Sequence, residues 1–200
     1  RPADYDSTKY ELLARYIAAH KLDNIRQIFY KIDPVPNQKT DINDGCPYST
    51  DYIGANWDYP EGDYKRREEI LEDHHSFTKG LLYFAGHDPR VPESIRKEVL
   101  RYGYPRDEYV NNNHWTPQVY IRETRRMIGE YVMTQKDILE NTTKEHSIGM
   151  GSYALDSHHL QRVVTPEGDV INEGNFTIRV DEPYEIPYES IVPKKTECSN

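Results

Sequence analysis

The sequence predicts an α+β fold, with an N-terminal helical part followed by an antiparallel or mixed β-sheet. Three observations predict it. Apolar residues recur at helical intervals before residue 110, a period of two takes over beyond residue 115, and no internal repeat or low-complexity tract interrupts either half. The expected organisation is one domain over residues 1–200, mainly helical over 1–110 with a long loop at 37–60, and mainly β over 111–200.

Thr8 and Glu11 have capping-box spacing, and Leu12, Leu13, Tyr16, Ile17 and His20 follow at helical intervals. After Asp23-Asn24, the β-branched run from Ile25 to Ile32 predicts a strand, closed by Asp33-Pro34-Val35-Pro36. The polar stretch from 37 to 60 predicts a loop long enough to be functional or to cover something. From Glu61 to about Ala85 a stripe of Ile70, His74, Phe77, Leu81 and Phe84 predicts a long amphipathic helix. A second helix is delimited by Pro92 near its first turn and Gly103 past its end. Beyond it, Val119 and Ile121 alternate with Tyr120 and Arg122, Val163-Val164 and Val170-Ile171 flank a Pro166-Glu167-Gly168 turn, and Phe176, Ile178 and Val180 alternate with polar residues. These predict strands, with a short helix starting at Thr134 between them.

Composition excludes several classes. A mean hydropathy of -0.90 and the lack of a long apolar run exclude a membrane-spanning helix, and Arg1-Pro2-Ala3-Asp4-Tyr5 does not have the layout of a signal peptide. With 25 basic against 34 acidic residues and no basic stripe, nucleic acid is not an expected partner. The 17 Tyr, 4 Phe and 2 Trp make up for scarce aliphatic residues, which suits a partly polar core or a core completed by other polypeptide. Cys46 and Cys198 are too few and too far apart for a thiolate metal site, and they are either paired or two thiols. No metal is expected. There is no G-x-G-x-x-G and no G-x-x-x-x-G-K-[ST], so the chain holds no nucleotide fingerprint; Gly149-Met150-Gly151 reads as a crowded turn or strand.

Four groups could carry chemistry. His74-His75 lies in the long helix, where neighbouring side chains diverge by about 100° and cannot share one metal, so packing or surface roles are the expectation. His158-His159 follows Asp156-Ser157 near a strand end, where an imidazole beside a carboxylate is either a proton acceptor or an ordinary loop residue. Arg122, Arg125 and Arg126 with Glu123 and Glu130 are either a solvated, ion-paired strand end or a cleft in which Arg122 holds an anionic or polyhydroxylated ligand. Tyr48, Tyr52, Trp57, Tyr59 and Tyr64, interleaved with Asp51, Asn56, Asp58 and Asp63, could hold a sugar or pack over a neighbouring domain.

Specific strings add to these readings. They are Asn56-Trp57-Asp58-Tyr59-Pro60-Glu61-Gly62-Asp63, Gly80-Leu81-Leu82-Tyr83-Phe84, Asp88-Pro89-Arg90-Val91-Pro92, Tyr120 to Gly129, Ser147 to Tyr153 with Asp156-Ser157-His158, and Pro187 to Lys194. In this order they resemble bacterial FAD-dependent oxidoreductases, some of whose members are labelled putative xanthan lyase. The resemblance runs from about residue 25 to the last residue. It implies the substrate-side region of such an enzyme, without the Rossmann segments that bind FAD, which are expected before and after this stretch. The implied function is binding of an unidentified, carbohydrate-related substrate that exchanges a hydride with the flavin. The alternative is a carbohydrate-binding or polysaccharide-degrading module.

The implied cofactor is FAD, and the implied partners are the FAD-binding domain of the same polypeptide and a small-molecule or carbohydrate substrate. An exported or periplasmic location accompanies the resemblance, and this region alone is expected to be inactive. On matching positions, His158 is the candidate proton-transferring residue, and Arg122, Arg125, Asn56 and Tyr153 are candidates for substrate binding. Where relatives commonly carry Arg after Pro-Tyr, this chain has Glu189.

Overall fold

The computed structural model describes residues 1–43, 48, 50–122, 124–140 and 142–198. Cys46, and with it any pairing to Cys198, lies outside the described residues, as do Glu123 of the arginine-rich group and Asn141. The fold is α+β: helices plus small antiparallel sheets. The chain divides into two compact units, Arg1–Glu123 and Thr124–Asn200.

In the first unit, the Asp6 carboxylate accepts from the Thr8 backbone N–H at 2.9 Å and starts a 3-10 turn, Ser7–Tyr10, that runs into α1, Glu11–His20. Asp6 is therefore the cap, and Thr8 donates to it instead of capping Glu11's helix. Lys21 closes α1 in the left-handed conformation, with Leu22 N–H returning to the Ile17 carbonyl at 3.1 Å.

The strand expected over 25–32 is a correction. Asn24 and Gln27 form a reciprocal capping box around a 3-10 turn, Ile25–Gln27, and this local bonding overrides the β preference of Ile25 and Ile28. Ile25, Ile28 and Phe29 are buried in succession, and the first strand, β1, starts only at Lys31 and runs Lys31–Val35. It pairs antiparallel with β2, Lys39–Asn43, inside the stretch expected to be loop. Asn37 and Gln38, both with positive φ (63° and 58°), make the tight turn whose twist suits a hairpin.

Helix α2, Tyr64–His87, is capped by the Asp63 carboxylate on Arg66 N–H at 2.8 Å and buries Ile70, His74, Phe77, Leu81, Phe84 and Ala85 along one stripe. Tyr10 fits against it only because residue 80 is glycine. A Cβ there would sit 2.0 Å from the Tyr10 hydroxyl, which donates to the Phe77 carbonyl at 3.0 Å. Helix α3, Glu93–Val99, starts after Pro92, buries Ile95 and Val99, and ends short of Gly103. One hydrophobic core joins Tyr10, Leu13, Ile17, Phe29, Phe77 and Phe84.

In the second unit, α4, Gln135–Leu139, begins with a Thr134–Asp137 capping box. Three antiparallel strand pairs follow: β3, Ser147–Gly151, with β8, Tyr184–Pro187; β4, Leu155–Ser157, with β7, Phe176–Ile178; and β5, Gln161–Val164, with β6, Val170–Glu173. Gly151 lies in a strand crowded by a ring, since a Cβ would meet Tyr184 at 2.6 Å. No strand forms over 119–122. Alternation there has no neighbouring strand to pair with, and a two-residue period alone does not satisfy backbone groups. Among the described residues no helix is long and apolar enough to cross a membrane.

Candidate functional site

In the first unit the segment 50–62 is a run of turns closed by backbone bonds, Ala55 N–H to Tyr52 O at 3.1 Å, Tyr59 N–H to Asn56 O at 3.1 Å and Gly62 N–H to Asp58 O at 2.8 Å. Arg67 fixes its end, donating to the Tyr59 and Pro60 carbonyls at 3.0 and 2.9 Å. Tyr52 lies flat on Phe77 at 4.0 Å between ring centres, tying these turns to the core.

Asn56 is 0% exposed, and neither its amide oxygen nor its amide nitrogen has a hydrogen-bond partner among the described residues. A buried amide left so costs about 1–3 kcal/mol, so this position is held by the fold around it. Trp57, next in sequence, is 52% exposed. Arg122 is buried and committed to Asp51: its guanidinium donates to the Asp51 backbone carbonyl at 3.1 Å and to the carboxylate at 3.4 Å.

The second unit holds the remaining sequence candidates. Tyr153 is exposed and donates to the Asp156 carboxylate at 3.1 Å. His158 is half-buried and follows β4 directly, so a strand that pairs with β7 fixes its backbone. Arg125 is exposed. Thus Asn56 and Arg122 belong to one unit, and Arg125, Tyr153 and His158 to the other. His74 is buried in α2, its Nδ1 2.7 Å from the Ile70 carbonyl, while burial and nearby Lys79 hold His75 below the usual imidazole range. Among the described residues no group of three His, Cys, Asp or Glu is placed to hold a metal ion.

Sequence reasoning missed a polar cluster around Asp137. Lys144 and Tyr131 both donate to its carboxylate, Thr134 caps it through N–H and hydroxyl at 2.7 and 2.8 Å, and Lys144 reaches Tyr131 and Thr142 at 2.9 and 2.7 Å. Burial raises the Asp137 carboxyl, but the bonds from Lys144, Tyr131 and Thr134 outweigh it and hold the group well below the usual carboxylate range. The Thr134–Asp137 spacing was visible in sequence. The arrival of Tyr131 and Lys144 was not.

The model of the family described as FAD dependent oxidoreductase matches residues 1–200. The chain belongs to this family. Neither the curated proteins nor the solved structures yield a match. FAD is the cofactor of FAD-dependent oxidoreductases, and membership carries a flavin-linked redox role.

A dinucleotide needs backbone N–H groups and a positive helix end at its phosphates, usually where a parallel strand turns into a helix. The paired strands and helix starts among the described residues do not fit that need. Every paired strand is antiparallel, and each α-helix already carries its own carboxylate at the N-terminus: Glu11 on α1, Asp63 on α2, Glu93 on α3 and Asp137 on α4. These helix starts are thus already occupied, and three of the carboxylates are ion-paired: Glu11 with Arg15 and Arg90, Glu93 with Lys97, and Asp137 with Lys144.

Proposed function

We propose that this chain is the substrate-binding region of an FAD-dependent oxidoreductase, acting on an unidentified, carbohydrate-related substrate whose hydride passes to flavin held by other segments of the same polypeptide. The observation that carries this reading is the family match over residues 1–200. The carboxylates at the four helix starts support assigning the cofactor phosphates to residues outside this region.

In this reading His158 accepts a proton from a substrate hydroxyl. Its position just past β4, with the Tyr153–Asp156 pair two residues before it, suits an imidazole of fixed backbone near a polar strand end. Arg125 and Tyr153, in the same unit as His158, supply binding contacts. In the first unit, Asn56 is a separate candidate for substrate contact, on the 50–62 turns that Arg122 holds through Asp51. The intact protein carrying His158→Ala should reduce its flavin at least about 100-fold more slowly with a candidate sugar or polyol, read by bleaching of flavin absorbance. An unchanged rate removes His158 from the reaction.

A second reading rests on exposed Trp57 and Tyr64 beside Asp58 and Asp63, a ring-and-carboxylate surface suited to a sugar. Sugar affinity in a flavin-free protein, abolished by Trp57→Ala, would favour a carbohydrate-binding module.

A further inference from the structure

A cleft of about 1080 Å³ opens in the first unit, between the β1–β2 turn, the C-terminal half of α2 and residues 99–108. Its charge runs against that of the protein. Acids outnumber bases 34 to 25 over the chain, whereas this lining holds Arg1, Lys39, Lys79, Arg101 and Arg106 against Asp107 and Glu108.

Three of these cations are already engaged, Arg1 through a 3.3 Å bond to the Tyr5 carbonyl and a place over its ring. Lys39 binds Asp107 at 2.6 Å, and Lys79 lies 4.7 Å from the centre of the Trp115 ring. Arg101 and Arg106, either side of Gly103, have no side-chain hydrogen bond or ion pair to any described residue. The same cleft is lined by Phe29, Leu82, Val99 and Leu100, and by Tyr83 and His87, which stack at 4.2 Å with their planes 11° apart. Uncommitted guanidinium forks beside an apolar, aromatic lining match a ligand with an anionic end and a flat body.

We propose that this cleft binds a ring-bearing carboxylate, with the anionic end held by Arg101 and Arg106 and the ring laid against the apolar lining. The proposal does not depend on the role assigned to His158, because the cleft is built entirely from the first unit.

Calorimetric titration of the intact protein with benzoate, benzyl alcohol and inorganic phosphate tests it. Benzoate should bind at least tenfold more tightly than the neutral alcohol and than phosphate. The Arg101→Ala/Arg106→Ala double variant should lose about 100-fold in benzoate affinity, about tenfold for each charge-assisted contact. Both side chains are exposed and bond to no described residue, so its circular dichroism should match the parent. No benzoate binding by the parent protein, equal affinity in the double variant, or phosphate binding as tight as benzoate would each overturn the proposal.

Discussion

The two units of the chain are held together by different forces. Every buried hydrophobic side chain described lies between Tyr10 and Val99, in the first unit. In the second, the only buried positions among the described residues are Gly129, Asp137 and Pro187, while Ile148, Met150, Ile171 and Phe176 stand exposed on short strand pairs. The first unit is a hydrophobic core with polar turns around it. The second is a set of hydrogen-bonded ribbons and a buried carboxylate network, with its apolar faces outward. Two-stranded ribbons are marginal by themselves in water, so in the proposed reading the second unit gains stability from polypeptide laid over those faces. In the proposed reading that cover is the FAD-binding portion of the same polypeptide.

The largest effect is expected in the core. Phe77→Ala removes the ring that stacks on Tyr52 and packs against Tyr10, and should cost about 3–5 kcal/mol in denaturant unfolding. Ile171→Ala in the 200-residue chain should cost under about 0.5 kcal/mol. A comparable loss at both sites would erase the contrast between the units, and a larger Ile171 effect in the intact protein than in this chain would sharpen it.

Next comes acid sensitivity of the second unit. Because the Asp137 carboxyl is held below its unfolded value of about 3.9, its stabilisation is complete above that value and is lost as pH falls through the lower folded one. Asp137→Asn should lower stability at neutral pH and flatten the acid limb of the unfolding profile. An unchanged profile would show that the network is not what holds this unit.

The smallest effect is at the surface. The bond to Glu189 raises the His146 imidazole above its usual range, and Glu189 is lowered by the same contact. This contribution is present below the unfolded imidazole value of about 6.5 and disappears as pH rises through the raised folded one. Glu189→Gln should return the His146 titration, followed by NMR, to the ordinary range. A titration left in the raised range would remove Glu189 as its cause.

What could be read from sequence follows the same division. Helix α2 was legible because its apolar stripe matches the helical period, and the β5–β6 hairpin because two valine-rich pairs flank a Pro-Glu-Gly turn. The 25–32 run misled because an Asn24–Gln27 cap, a local bond between side chain and backbone, outweighed β-branched composition. The 119–122 alternation misled because a strand exists only with a neighbour. Of the candidate site, the backbone setting of His158 was legible from its place after Asp156-Ser157. The burial of Asn56 was not, since a polar stretch rich in turn residues reads as surface until a core forms beneath it. The Arg101–Arg106 cleft joins distant stretches of chain, and no local pattern announces it.

The assignment of the cofactor's phosphates to other segments is tested most directly by titrating the 200-residue chain with FAD while following flavin fluorescence, in a sample whose circular dichroism shows its helices intact. The account predicts no saturable binding by this chain and a bound, yellow flavin in the intact protein. Stoichiometric FAD binding by residues 1–200 alone would contradict it.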